Sequence, residues 1–138
     1  MLKVEHIGIA VRSLAESDPL FERLLGSGPY KQERIDSQQV ITSFFKAGET
    51  KIELLEPTGV ESPIHKFIQN KGEGIHHIAF EVEDIRAEMN RLRLEGFELI
   101  NEAPVAGADQ KWVCFIHPRS ANGVLVELCQ TIPVSDVG

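Results

Sequence analysis

The sequence has few cysteines, no long apolar segment and no excess of positive charge. Its two cysteines, Cys114 and Cys129, form neither a CxxC metal motif nor a disulfide framework, so free thiols in a cytoplasmic protein are the simplest interpretation. No apolar run approaches the roughly 18 residues of a membrane-spanning helix. The N-terminus lacks the apolar region and cleavage site of a signal peptide. We therefore expect a cytoplasmic protein without a membrane segment.

The charge balance argues against two classes of partner. The chain carries 21 acidic and 14 basic side chains, for a net charge of −7. An acidic protein is a poor match for nucleic acid or for an anionic membrane surface, whereas a local basic pocket can still bind a small anion. The 138 residues are enough for one ordinary domain or two very small ones.

The chain contains an internal repeat. The segment "HIGIAVRSL" at residues 6–14 aligns with "HIAFEVEDI" at residues 77–85, with His6 matching His77. The later segments "TKIELLEP" and "GVLVELCQ" also align, with Glu53 matching Glu127. The repeat indicates that one small module was duplicated.

Each half of the repeat predicts the order β-α-β-β-β. Helical patterns close at Gly26 and Gly96, where a glycine after the last turn stops a helix. The first helix is predicted to start near Asp18, with Pro19 in its first turn. Two more strands are predicted in each half, near residues 30–36, 39–47, 97–101 and 110–117.

The predicted architecture is an α+β fold of two tandem βαβββ modules that form one cleft-containing domain over residues 1–138. Module 1 covers about 3–57 and module 2 about 74–130. A connector helix at about 62–71 links them, with Ser62 as its N-cap. Neither half alone would bury much apolar surface, so the two are expected to share one structure.

Four polar residues occupy matching places in the predicted strands. Side chains alternate between the two faces of a strand, so His76 and His77 must point in opposite directions. In each of the four aligned strands, one His or Glu lies on the face opposite an aliphatic stripe. This arrangement gives two equivalent pairs, His6 with Glu53 and His77 with Glu127, and leaves His76 as a structural residue.

These two pairs predict a metal site. Each residue alone is well explained as a satisfied polar residue on a solvated face, but four of them in duplicated register favour a shared function. Two imidazoles and two carboxylates, with positions open for water or substrate, suit one divalent ion such as Mn²⁺, Co²⁺, Ni²⁺ or Zn²⁺. The two carboxylates also offset the charge of an ion placed in a cavity.

Several segments resemble the vicinal oxygen chelate (glyoxalase/bleomycin resistance/dioxygenase) superfamily, and most closely the methylmalonyl-CoA epimerase family. They are "HIGIAV", "KIELLEP", "SPIHKFIQNKGEGIHHIAFEVEDI" and "FIHPRSANGVLVEL". In that family the residues that match His6, Glu53, His77 and Glu127 hold the metal. The resemblance also implies the paired βαβββ fold and a homodimer.

The resemblance implies proton abstraction at C2 of a 2-methyl-branched acyl-CoA such as methylmalonyl-CoA, through a metal-stabilised enolate. Glu127 would be both a ligand and the base on one face of the carbon. The segment "DSQQVIT" at residues 36–42 departs from the family, which carries an acid and "QGV" there; Ser37 and Thr42 occupy the places for that acid. The candidates for the second acid are Asp36, Glu33 and a metal-bound water.

Two basic residues are candidates for binding the phosphates of coenzyme A. Lys111 and Arg119 flank the last predicted hairpin, while Trp112 on the same hairpin is interpreted as a packing residue. A glyoxalase I-type lyase acting on a thiol hemithioacetal would use the same four ligands, and a non-catalytic small-molecule binding protein of this fold is the second alternative. The segments "SPIHKF" and "HPRSANGV" favour the epimerase.

Overall fold

The computed structural model describes residues 1–133. The described residues form two compact units: one is His6–His76, and the other combines Met1–Glu5 with residues 77–133. The first half of the chain contains β1 (Lys3–Ala10), α1 (Leu14–Leu25), β2 (Lys31–Ile35), β3 (Val40–Ala47), β4 (Thr50–Pro57) and α2 (Pro63–Lys71). The second half contains β5 (Gly74–Glu81), α3 (Ile85–Leu94), β6 (Val105–Gly107), β7 (Lys111–Ile116) and β8 (Val126–Thr131).

The two halves have the same strand topology. In the first, β1 pairs in parallel with β4, and the antiparallel neighbours β3 and β2 follow in that order. In the second, β5 pairs in parallel with β8, and the antiparallel neighbours β7 and β6 follow. The predicted α+β fold with a repeated β-α-β-β-β order is therefore confirmed.

Helix α1 begins four residues earlier than the sequence predicted. Its N-cap is Ser13, whose hydroxyl accepts a hydrogen bond from the Glu16 amide at 3.4 Å, and the Leu14 amide donates to Glu56 Oε1 at 2.7 Å. Pro19 lies inside the helix instead of in its first turn. The prediction near Asp18 was wrong because Ser13 caps the helix from the residue before it and Glu56 of β4, a long-range contact, binds the first amide at the same end.

Helix α3 begins in the same way as α1. Asp84 is its N-cap and accepts from the Ala87 amide at 3.2 Å, while the Ile85 amide donates to Gln130 Oε1 at 2.8 Å. In both modules, therefore, a polar side chain near the end of the last strand binds the first amide of the helix. This shared detail extends the repeat from the sequence to the hydrogen-bond network.

The connector helix matches its prediction. Ser62 accepts from the Ile64 amide at 3.2 Å, Pro63 stands in the first turn, and Gly72 follows the last residue with φ +78°. Ile64 packs against Ala10 and Leu55, so α2 covers one end of the sheet of β1–β4. Among residues 1–133, no helix has the length and apolar character to cross a membrane.

The strand predicted near 97–101 is absent from the described structure. Leu99 makes only an isolated bridge to Ile116, and the strand that follows α3 is β6, which begins after Pro104. Leu99 and Val105 are six residues apart, whereas their partners Ile116 and Val113 are three apart, so the pairing with β7 is interrupted between them.

Each module has an apolar layer between its helix and one face of its sheet. Val11, Phe45 and Leu54 pack together beside α1, with Phe21 of the helix against them. In the second module, Met89 of α3 packs with Cys114 and Leu128. Because side chains alternate along a strand, the residues between these apolar ones point to the opposite face of each sheet.

The Glu56 bond can be tested by substitution. Replacing Glu56 with Ala removes the acceptor of the Leu14 amide, and we expect the free energy of unfolding to fall by about 1–2 kcal/mol. Glu56→Gln is the matched control, because its amide oxygen can still accept. Urea denaturation of the two variants measures the difference, and equal stabilities would contradict the role of this bond.

Candidate functional site

The first candidate pair joins β1 to β4. His6 Nδ1 lies 3.2 Å from Glu53 Oε2, and the two residues are only 5% and 4% exposed. The parallel pairing sets Gly8 opposite Glu53, so that His6 and Glu53 share a sheet face. Leu54 points to the other face, towards α1.

The second candidate pair joins β5 to β8. His77 Nε2 lies 3.4 Å from Glu127 Oε1, and the two residues are 6% and 5% exposed. Here Ala79 is paired with Glu127, so His77 again stands two residues before the partner of the carboxylate. The two modules therefore build the same pair at the same place in the same pairing pattern.

The carboxylates also have matching neighbours. Strand pairing sets a small residue on one side and a phenylalanine on the other: Gly8 and Phe44 beside Glu53, and Ala79 and Phe115 beside Glu127. The His77 and Phe115 rings meet edge-on, with centroids 6.0 Å apart. Sequence reasoning missed these phenylalanines, although the internal repeat aligns them and would have indicated them.

Both pairs have the chemistry of metal ligands. Each offers an imidazole nitrogen and a carboxylate oxygen, the donors that first-row divalent ions bind in proteins. A carboxylate that is about 5% exposed is costly to bury unless a positive charge or hydrogen bonds compensate it. A divalent cation supplies such a charge, so the residues of each pair fit a metal.

His76 lies on the other side of β5 from His77. Its ring packs edge-on against Phe67 of α2, with centroids 5.0 Å apart. Burial, and to a smaller extent the nearby Lys71 charge, lower the pKa of His76 to about 4. The residue is therefore neutral at pH 7, and its contact with the connector helix agrees with a structural role.

The two candidate acids occupy different surroundings. Glu33 on β2 is paired with Thr42, and Thr42 with Leu55 of β4, so Glu33 lies on the sheet face that carries Glu53. Asp36 lies in a turn beyond β2, where its side chain is 84% exposed and accepts from Arg34 Nε at 2.7 Å. The geometry therefore favours Glu33 over Asp36 as a group on the sheet face of the first pair.

The residues predicted to bind coenzyme A also differ. Lys111 is 7% exposed, and its ammonium group donates to Thr131 Oγ1 at 2.7 Å, so its burial counts against a phosphate-binding role at the surface. Arg119 is exposed and paired with Glu98 at 2.9 Å. Trp112 is paired with Gln130, which lies three residues beyond Glu127 on β8. Because this spacing is odd, Trp112 lies on the sheet face opposite Glu127. Arg119 stays a prediction, and Trp112 does not share the face of the second pair.

Comparisons with known proteins agree on one family. Residues 5–115 match the model of the Glyoxalase/Bleomycin resistance protein/Dioxygenase superfamily. The chain is 42% identical over 130 residues to the uncharacterized protein YqjC of Bacillus subtilis, covering 94% of this chain and 93% of that protein. It is 42% identical over 127 residues to the mitochondrial methylmalonyl-CoA epimerase of Dictyostelium discoideum, covering 91% of this chain and 76% of that protein.

A solved structure shows the same fold. It is methylmalonyl-CoA epimerase in complex with methylmalonyl-CoA and NH4+, and it superposes with a TM-score of 0.91 at 30% identity, covering 97% of each chain. At this identity and coverage, the predicted vicinal oxygen chelate fold is confirmed.

The two adjacent histidines provide a test of the metal assignment. His77→Ala removes an imidazole donor, and we expect the affinity for Co²⁺ or Mn²⁺ to fall at least about tenfold. His76→Ala is the matched control, because His76 points to the opposite face and contacts Phe67. Calorimetric titration of both variants measures the affinities; equal losses would show that the faces of β5 are wrongly assigned.

Proposed function

The chain belongs to the Glyoxalase/Bleomycin resistance protein/Dioxygenase superfamily and to its methylmalonyl-CoA epimerase branch, and from this premise we propose that it is a metal-dependent epimerase of a 2-methyl-branched acyl-CoA such as methylmalonyl-CoA. The observation that carries the proposal is the pair of buried His–Glu sets at equivalent places of the two modules. In this proposal His6, Glu53, His77 and Glu127 hold one divalent ion.

The same four residues allow a reaction at the carbon next to a thioester. A divalent metal, when bound, supplies a Lewis acid that stabilises negative charge on the thioester oxygen. Glu127 takes the C2 proton on one face of the substrate and is the general base.

Inversion of C2 requires a proton donor on the opposite face. We assign this role to Glu33, because it shares a sheet face with Glu53 and is paired with Thr42, which with Ser37 is one of the two places where the family resemblance puts an acid. Asp36 is a weaker candidate, since its carboxylate is exposed and already bound to Arg34. The assignment makes the two carboxylates, Glu127 and Glu33, the two proton-transfer groups.

The proposal extends to the state of the protein in the cell. A homodimer is implied by the family resemblance. A cytoplasmic location fits the cysteines, because Cys114 and Cys129 are both free and buried, as thiols in a reducing compartment are. Burial raises the pKa of both thiols, which keeps them protonated and unreactive at neutral pH.

The two proton-transfer roles can be separated with methylmalonyl-CoA in deuterium oxide. Glu33→Gln should slow inversion about 10²–10⁴-fold, the usual contribution of a positioned acid, while deuterium still enters one isomer. Asp36→Asn is the matched control and should leave the ratio of exchange to inversion near that of the unmodified protein. Glu127→Gln should suppress both processes. Proton NMR at C2 and a chiral assay of the two isomers measure exchange and inversion.

Two other outcomes of this experiment would change the proposal. If Asp36→Asn alone slows inversion, the assignment of Glu33 is wrong but the epimerase proposal stands. If the metal-loaded protein neither exchanges nor inverts any acyl-CoA, the epimerase proposal fails. A parallel assay with a thiol hemithioacetal then distinguishes a glyoxalase I-type lyase from a non-catalytic binding protein.

A further inference from the structure

Phe115 and its counterpart in the first module have different supports on their outer sides. Phe115 of β7 and Phe44 of β3 occupy the same place, each paired with the carboxylate residue of its module. On the side away from that carboxylate, Phe44 is paired with Lys31 of β2. The pairing of β6 with β7 ends at Val113, two residues before Phe115. The outer side of Phe115 therefore lies beyond the end of β6.

Both backbone groups of Phe115 bind the loop that follows α3. Its amide donates to Asn101 Oδ1 at 2.9 Å, and its carbonyl accepts from the Ile100 amide at 2.8 Å. The amide and the carbonyl of one residue point to the same side of a strand, so both groups of Phe115 point away from β8. Its pair with Glu127 is therefore of the non-hydrogen-bonded kind, in which the side chains of the two strands are closest.

The Asn101 side chain takes the place of a strand. In the first module the Tyr30 amide, next to β2, donates to the Phe44 carbonyl at 2.9 Å, as the Ile100 amide donates to the Phe115 carbonyl. The acceptor for the Phe115 amide, however, is a side-chain oxygen. The second module therefore uses one particular residue type at a place where the first module uses a paired strand.

The loop that carries Asn101 is itself anchored. Arg93 of α3 donates to the Glu102 carbonyl at 2.7 Å, one residue beyond Asn101. Asn101 is half-buried, so water has limited access to its side chain. An amide away from water that loses its acceptor is costly, and the backbone shifts to find another one. Such a shift at Phe115 is not opposed by a backbone bond to β8.

Phe115 is a neighbour of both members of the second His–Glu pair. Its ring meets that of His77 edge-on, with centroids 6.0 Å apart, and it is the strand partner of Glu127. His77 Nε2 and Glu127 Oε1 are 3.4 Å apart, so a small displacement of Phe115 changes how the imidazole faces the carboxylate. Bonds of about 2.0–2.2 Å from a metal to N and O leave little tolerance for such a change.

We propose that Asn101 is a positioning residue for His77 and Glu127 and acts through Phe115. Its side-chain oxygen fixes the Phe115 backbone. The Phe115 ring and strand then hold the imidazole and the carboxylate in the geometry in which they bind the metal and Glu127 takes the C2 proton. The inference rests on the proposed function, since it takes these two residues as metal ligands and Glu127 as the base.

Metal affinity and the NMR signals of the His77 ring test this inference without turnover. Asn101→Leu has nearly the same size but no acceptor, and it should weaken Co²⁺ binding about tenfold, the lower end of the cost of losing an outer partner of a ligand. In the metal-free protein it should also shift the His77 ring protons, because the ring current of Phe115 acts on them. Asn101→Asp keeps an acceptor oxygen and should bring both values back near those of the unmodified protein. His77→Ala assigns the signals.

The matched control removes another acceptor from the same loop. Ser120 Oγ accepts from the Glu98 amide at 2.9 Å, so Ser120→Ala also leaves a loop amide without its side-chain acceptor. It should leave the Co²⁺ affinity and the His77 signals unchanged. Asn101→Ala, which leaves room for water to accept from the Phe115 amide, is the variant to use if Asn101→Leu does not fold, and it should weaken Co²⁺ binding by a few-fold. Circular dichroism checks the folding of each variant.

Turnover of methylmalonyl-CoA at saturating Co²⁺ adds a second signature. Asn101→Leu should lower kcat for exchange and for inversion by the same factor, because Glu127 serves both processes. The KM should stay unchanged, since the lost bond is not made to the substrate. Glu33→Gln, in contrast, is expected to change the ratio of exchange to inversion.

The outcomes separate the two proposals. Unchanged Co²⁺ affinity and unchanged His77 signals in Asn101→Leu overturn this inference. An equal loss in Ser120→Ala overturns it as well, and so does the absence of rescue by Asn101→Asp. If the Asn101 variants behave as expected and yet the unmodified, metal-loaded protein neither exchanges nor inverts methylmalonyl-CoA, only the proposed function fails. An unmodified protein that binds no divalent ion overturns both.

Discussion

The parallel pairing of the first and last strands of each module is the constraint on which the site depends. It sets Gly8 opposite Glu53 and Ala79 opposite Glu127, and so brings the histidine two residues earlier to the same face as the carboxylate. A shift of either register by one residue would turn its glutamate towards the apolar layer under the helix. The same pairing places the end of β4 beside the start of α1, where Glu56 accepts from the Leu14 amide. It places the end of β8 beside the start of α3, where Gln130 accepts from the Ile85 amide.

Burial makes these pairs functional candidates rather than surface salt bridges. Glu53 and Glu127 are about 5% exposed, whereas the pair of Arg34 and Asp36 lies mostly in solvent. A carboxylate that has lost water needs a compensating partner, and a partly exposed pair contributes little to stability. Two such buried sets in equivalent places of the two modules support the proposed metal site.

Much of the fold could be predicted because the repeat and the capping residues are local signals. Ser62, Pro63 and Gly72 defined the connector helix, and the alternation of His76 and His77 assigned their faces. The errors arose where distant contacts compete with local ones. Helix α1 starts ahead of Pro19, where Glu56 of β4 accepts from the Leu14 amide, and the pairing near Leu99 is limited to an isolated bridge because its register breaks before β6.

The sequence by itself determined the duplicated module, the four His and Glu candidates and the family resemblance, because period-two alternation and an internal repeat can be read without knowing which strands pair. Only the tertiary structure decided that Lys111 is buried, that Asp36 is exposed, and that Glu33 shares the face of Glu53. The physical reason is that burial and common faces across strands depend on pairing register. Register is set by contacts between residues far apart in the chain, which no local pattern specifies.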